Sequence, residues 1–267
     1  MGGNYSRSFE YYKGLDKGTT ERKLKIERTE GIKGITDFYE TEFQEIVNRC
    51  KDSFSEEKKR MFPNVEPRIF AGVIDWIKEY RCGFSLGNID LSLDDIAYFC
   101  KGLKNYEKMP FFKDTAGVYI SVLITCVGKE GDKIELDLSN LKKKLDWFGM
   151  VLSKNINIRV KGDIGNCLGY LMGNGSITVE GSAGDFVGMS MRNGKITISK
   201  DAGTHLGFFM RKGEISIYGK TGNEIGYEMD GGKLFLSDNC GRISEHTGYG
   251  SYSHVVIYKG SKKVWPE

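Results

Sequence analysis

The 267-residue sequence lacks several things that would assign it quickly. Its 6 cysteines, Cys50, Cys82, Cys100, Cys126, Cys167 and Cys240, contain no Cys-x-x-Cys pair. Zinc ribbons and thiolate-held clusters of the usual short spacing are therefore not expected, and a chain of this length does not require a disulfide framework. The longest nearly apolar run, Val118 to Val127, is about half of what a helix needs to cross a bilayer. No charged-then-apolar signal segment opens the chain, so a cytoplasmic location with no membrane partner is the expectation. Charge of one sign is missing too. The 39 basic and 36 acidic residues leave a net +3, which is no nucleic-acid footprint. Proline is nearly absent, at 4 residues, whereas 39% hydrophobic and 28% charged residues are ordinary for an ordered protein.

Glycine is abundant, with 35 residues, of which 22 fall between Lys133 and Gly260. Their arrangement is periodic. A step of 19 residues links Gly165, Gly184, Gly203 and Gly222, then Gly169, Gly188, Gly207 and Gly226. The same step links Met172, Met191, Met210 and Met229, and Gly175, Gly194, Gly213 and Gly232. Two residues beyond the last glycine column stand Ile177, Ile196, Ile215 and Leu234, and two further on Val179, Ile198, Ile217 and Leu236. Apolar columns at spacing two mark a half-buried strand.

Nineteen residues are too few for a strand, a helix and their connections, but they suit one coil of a parallel β-solenoid. Coils would then stack about 4.8 Å apart and each column becomes a ladder along the axis. Glycine recurs at corners where positive φ or a close backbone approach is needed. The methionines, with Leu168, Val187, Leu206 and Ile225, fill the interior. Weaker copies extend the array: Ile156, Ile158 and Val160 before it, Ile134, Leu136 and Leu138 earlier still, and Val255 to Tyr258 after it, about two residues late. The expected fold is mainly β with an α-helical amino-terminal part: a right-handed parallel β-helix of six to seven coils. Domain limits are placed at 1–35 for a polar arm, 36–130 for a helical domain, 131–260 for the β-helix and 261–267 for a tail.

The phrase G-x-x-G-x-x-x-G-x-x-M-x-x-G-x-I-x-V occurs as Gly162 to Val179, Gly181 to Ile198 and Gly219 to Leu236, with Lys200 replacing the first glycine of the third unit. It resembles the GXGXG repeat that is found in the carboxy-terminal domain of the large polypeptide of glutamate synthase and in one polypeptide of formylmethanofuran dehydrogenase. The resemblance covers about half the chain, roughly Lys133 to Gly260. It implies a right-handed parallel β-helix that serves assembly while other domains or subunits carry the cofactors. The catalytic cysteine and the flavin and iron-sulfur domains of glutamate synthase have no counterpart here, so those activities do not carry over.

In the amino-terminal half, residues 1–35 are polar and aperiodic. Phe38, Phe43, Ile46 and Val47 mark one helical face, and Ile69, Val73, Ile74 and Ile77 another, with Pro63 and Pro67 between. Ser92 is the expected N-cap of a third helix with Asp94 and Asp95 in its first turn. Val118 to Val127 is rich in β-branched residues, yet its length up to Gly128, with Thr115 as a cap, favours a buried helix. A helical block of this kind would cover the first coil.

No catalytic, cofactor-binding or metal-ligating set stands out. His205 shares its column with Cys167, Phe186 and Glu224, a corner-like mixture, and His246 with His254 lacks a third ligand. Among the exterior acids Asp163, Glu180, Asp185, Asp201, Glu214 and Asp230, only Asp163 and Asp201 share a column, two coils apart, a poor match to a carboxylate pair for glycoside chemistry. The glycine phrase is not followed by a helix or by Gly-Lys-Ser/Thr, as a phosphate loop would be. Met1, Gly2 and Ser6 fit a myristoylation signal, a short match of the kind that arises by chance. Arg192, Arg211 and Asp230, beside Asn174, Asn193 and Lys212, form a polar stripe that reads as an interaction surface or as plain solvation. The expectation is a non-catalytic scaffold with protein partners. The alternative is an enzyme or small-molecule-binding protein with a cleft where the helical block meets the β-helix, involving Tyr106, Asp114 or Tyr119.

Overall fold

The computed structural model describes residues 92–109, 112–248 and 254–265. The expected arm at 1–35, the helices around 38–47 and 68–80, and the Gly2 signal all lie outside the described residues, as do Cys50 and Cys82. The strands are β1 (Lys133–Asp137), β2 (Asn157–Lys161), β3 (Ser176–Val179), β4 (Lys195–Ile198), β5 (Glu214–Ile217), β6 (Gly231–Leu236), β7 (His254–Lys259) and β8 (Lys262–Trp265). They form one sheet in sequence order. From β1 to β7 every pairing is parallel, which is the signature of a solenoid.

The register follows the 19-residue step: Ile158, Ile177, Ile196, Ile215 and Leu234 lie side by side, as do Val160, Val179, Ile198, Ile217 and Leu236. All of these side chains are buried, while the alternate residues face outward. The array makes about five turns, not six to seven. The end passages depart from the repeat: Lys133 pairs with Asn157, 24 residues on, and Gly231 with His254, 23 residues on. They act as caps instead of regular coils. The last insertion is thus four residues by register and not two. The segment expected as a tail carries β8, which turns back antiparallel on β7.

Opposite the sheet, each coil crosses a wall of turns with no strand. Its backbone alternates handedness. Cys167, Gly169 and Leu171 have φ of 59°, 70° and 53°, and the next coil repeats this at Phe186, Gly188 and Ser190 with 60°, 69° and 53°. The N–H groups of these left-handed residues point by turns up and down the axis. Cys167 and Leu171 donate to Asp185 and Met189 carbonyls of the following coil (2.8 and 3.1 Å), and Gly169 donates to the Phe148 carbonyl of the preceding one (2.9 Å). Every coil is thereby bonded to both neighbours on this side too. A non-glycine residue in the left-handed region costs about 1–2 kcal/mol, and the interlocked ladder is what holds it there.

Between the two walls lies the core. Met172, Met191, Met210 and Met229 are fully buried in a single row, as are Leu168 and Ile225. The three glycine columns serve two needs. Gly169 and Gly175 and their equivalents take positive φ. Gly165 does not, and is required by close approach: a Cβ on it would lie 2.0 Å from Asp146 Oδ1.

Two helices precede the sheet. Helix α1 (Leu93–Gly102) opens with a capping box in which Asp95 N–H donates to Ser92 Oγ (3.2 Å) and Ser92 N–H donates to Asp95 Oδ2 (2.8 Å). It buries Ile96, Phe99 and Cys100 and packs against β1. Helix α2 (Phe112–Val127) is buried from Asp114 through Ile124. Burial all round overrides the strand preference of its Val and Ile residues. Thr115 lies inside the helix and does not cap it; its hydroxyl donates to the Phe112 carbonyl (3.3 Å). No described helix is long and apolar enough to cross a membrane.

Candidate functional site

The polar residues of the corners are engaged in joining coils. A ladder runs one residue after the first glycine column. Asp146 Oδ1 accepts the Asn166 N–H (2.7 Å), Asn166 Oδ1 accepts the Asp185 N–H (2.9 Å) and Asp185 Oδ1 accepts the Thr204 N–H (2.7 Å). Asn223 Oδ1 continues it to Arg242 (3.0 Å). Sequence reasoning did not pick out this column. Its only signal is that Asn166, Asp185, Thr204 and Asn223 each follow a repeat glycine and each carry an oxygen acceptor. Two of the acids weighed for glycoside chemistry do the same work at another corner: Asp163 accepts the Ser182 N–H (3.0 Å) and Asp201 the Lys220 N–H (2.7 Å). The Ser182 bond, with Lys144 alongside, holds the Asp163 carboxyl below its ordinary range.

The junction of helix and solenoid is packed and polar. Where a preceding coil would be, α2 supplies the missing partners. Lys113 carbonyl accepts the Asp146 N–H (2.8 Å) and Ser121 Oγ accepts the Gly149 N–H (2.7 Å) while donating to the Gly117 carbonyl (2.6 Å). Lys113 Nζ pairs with Asp146 Oδ2 at 2.8 Å. Gly117 lets the helix backbone come close, since a Cβ there would sit 1.9 Å from the Asp146 carbonyl oxygen. Burial pushes the Cys167 thiol well up, and the carboxylates of Asp146, Asp114 and Asp185 add to it, so the sulfur stays protonated. Of the residues placed in a possible cleft here, Asp114 and Tyr119 are each 2% exposed. Tyr106 is half-buried against Phe99, at 6.3 Å between ring centroids.

The three histidines do not come together. His205 has φ 57°, stacks on Phe186 (4.7 Å, 19° between planes) and holds Thr204 Oγ1 at 3.0 Å from Nδ1. His246 tilts against Tyr227, and His254 begins β7. Among the described residues no three His, Cys, Asp or Glu side chains converge in a metal-binding group.

What remains is outside the turn wall. Phe208 and Tyr227 stack one coil apart (5.1 Å, 12°), and Phe209 meets both edge-on. Beside them runs a groove of about 580 Å³ along the axis, lined by Ser190, Arg192, Phe209, Arg211, Glu228 and Asp230 among others. The stripe of Arg192, Arg211 and Asp230 foreseen from the sequence forms one of its sides. A second, shallower depression of about 420 Å³ lies round the next corner at Lys195, Lys212, Lys233 and His254. No family model, curated protein or solved structure matches this chain.

Proposed function

We propose that the protein is a non-catalytic scaffold, a cytoplasmic subunit or accessory chain of a larger protein assembly. The observation that carries this reading is where the side chains of the corners go. Asp163, Asp185 and Asp201, three of the acids weighed for glycoside chemistry, and Asp146 beside them each accept a backbone N–H of the following coil. They are thereby committed to stiffness. The exterior keeps Phe208, Phe209 and Tyr227 beside Arg192 and Arg211, and aromatic residues and arginine are the types that protein interfaces favour. The likeness of the glycine–methionine phrase to the GXGXG repeat of redox-complex subunits supports the same reading.

The test is gentle purification of the full chain from its source at low salt, followed by native mass measurement of the product. An assembly well above the chain's 30.0 kDa that contains other polypeptides in fixed ratio is expected. A chain recovered without any other polypeptide would overturn the proposal, as would turnover of a small-molecule substrate by the pure protein.

A further inference from the structure

The outer face of the sheet carries one column that changes character abruptly. In register it reads Arg159, Thr178, Thr197, Ser216, Phe235 and Tyr258, one residue from each strand from β2 to β7. The Phe235 and Tyr258 rings are parallel within 4°, with centroids 5.0 Å apart. Parallel rings this close cannot lie side by side in one plane, so they are stacked, and their faces look along the solenoid axis. One face of Phe235 is thus covered by Tyr258. The other looks towards the level of Ser216, where the column has its shortest side chain and no ring.

A depression of about 430 Å³ lies at that level, and its lining includes Ser216, Phe235, Tyr218, Glu214 and Lys195. The strand fixes their places. Every second residue of β5 faces outward, so Ser216 forms the floor, with Glu214 on one side of it and Tyr218 on the other. Glu214 is held by Lys195 of the preceding coil at 3.5 Å. The Tyr218 N–H donates to the Ile198 carbonyl (3.1 Å), which carries the strand register on to this residue. Tyr218 is 71% exposed, the most exposed large hydrophobic side chain among the described residues. The ring face of Phe235 closes one end. The depression is therefore the next position of the ring stack, with its sides built and its ring missing.

We propose that this slot holds an aromatic side chain of a partner polypeptide, stacked on Phe235 as Phe235 is stacked on Tyr258. This rests on the scaffold reading and deepens it by naming what a partner inserts. Spacing sets the chemistry of the occupant: a ring one level on from Phe235 continues a 5.0 Å stack, within the range that aromatic pairs prefer. Openness sets its source. The slot is open above the sheet, so a free small molecule in it keeps much of its surface in water, whereas a ring carried on a protein surface is covered by that surface. Tryptophan and tyrosine suit the rim, because Glu214 and Ser216 offer acceptors to an indole N–H or a phenol O–H.

The experiment is an amide chemical-shift titration of the full chain with N-acetyl-tryptophanamide and N-acetyl-tyrosinamide, and with N-acetyl-leucinamide as the non-aromatic control. Saturable ring-current shifts are expected at Ser216, Tyr218 and Phe235, with dissociation constants roughly in the millimolar range for a single ring. Ser216→Phe extends the protein's own stack into the slot. It is expected to be at least as stable as the parent and to abolish the shifts. Phe235→Leu keeps apolar bulk but removes the ring face, and is expected to weaken binding about threefold to tenfold. In the assembly recovered from the source, Ser216→Phe is expected to release a polypeptide that the parent retains. Aromatic probes that move nothing at the slot, or a leucine probe that moves it equally, would overturn the inference and leave the scaffold reading standing. An assembly that keeps every polypeptide when Ser216→Phe has closed the slot to the probes would also overturn it, and would give the slot to a free aromatic molecule. A chain with no partner in its source overturns both readings.

Discussion

The methyl carbon of Met172 lies 2.8 Å from the point where a Cβ on Gly194 would be. Met191 stands in the same relation to Gly213 (2.9 Å) and Met210 to Gly232 (2.7 Å), so each methionine fills the space left by a glycine one coil later. The two columns are one packing device, and neither residue type makes sense without the other.

Gly194→Ala should therefore cost about 2–4 kcal/mol, from a φ of 94° and from the clash with Met172 and with the Gly175 carbonyl. Met172→Ala alone should cost about 2–5 kcal/mol as a core truncation. The double variant should be more stable than the sum predicts by about 0.5–2 kcal/mol, because truncation of the methionine makes room for the new methyl. Denaturant melts of all four proteins close the cycle. Strict additivity would show that the two side chains do not share the space.

Ser121→Ala removes the hydroxyl that accepts the buried Gly149 N–H. A loss of about 1–3 kcal/mol is expected, since that donor then has no partner. Thr125→Ala is the control. Its hydroxyl donates to the carbonyl of Ser121 in its own helix, and its removal should cost under about 1 kcal/mol. Equal losses in thermal melts would mean that α2 is not terminating the ladder through Ser121.

Asp185 receives both the N–H and the hydroxyl of Thr204, at 2.7 and 3.1 Å. Asp185→Asn keeps an acceptor oxygen, as Asn166 does one coil earlier, and should change stability by less than about 0.5 kcal/mol. Asp185→Ala should cost about 1–2 kcal/mol. Hydrogen exchange at Thr204 provides a local readout: protection should survive in the first variant and fall in the second.

The carboxyl of Asp163 is held below its ordinary value of 3.8, first by the Ser182 N–H and then by Lys144. A depressed value in the folded state means that its contribution is complete above about pH 4 and disappears as the pH falls through the folded value. Asp163→Asn should lower the melting temperature at neutral pH, and the gap from the parent should narrow steadily in acid. A gap that widens below pH 4 would contradict the assignment.

Much of this architecture was legible because each column repeats one residue type at a fixed step, as Gly169 and Met172 do. The acceptor ladder was not, because Asn166, Asp185, Thr204 and Asn223 share an oxygen and nothing else. The left-handed backbone at Cys167, Phe186, His205 and Glu224 was hidden for a related reason: four chemically unrelated residues occupy it, and the bonds between coils, not the side chains, select it. Helix α2 was ambiguous because Val118, Ile120, Val122 and Ile124 are β-branched, as strands favour, while its length up to Gly128 pointed to a buried helix, and its burial on all sides bears out the helix. One side of the groove was visible as the stripe of Arg192, Arg211 and Asp230, but Phe209 belongs to a different column and its place in the groove is a property of three-dimensional placement.

Ser121 and the Lys113 carbonyl stand in for a coil that is not there, and β8 turns the sheet back at the opposite extremity. The described solenoid thus behaves as a ruler with a stop at each end, whose markings are set by the backbone repeat. Removing or duplicating one 19-residue block between Gly162 and Leu236 should shorten or lengthen it by a single increment of about 4.8 Å while leaving both stops intact. The distance between anything attached near α2 and anything attached near β8 is accordingly quantised.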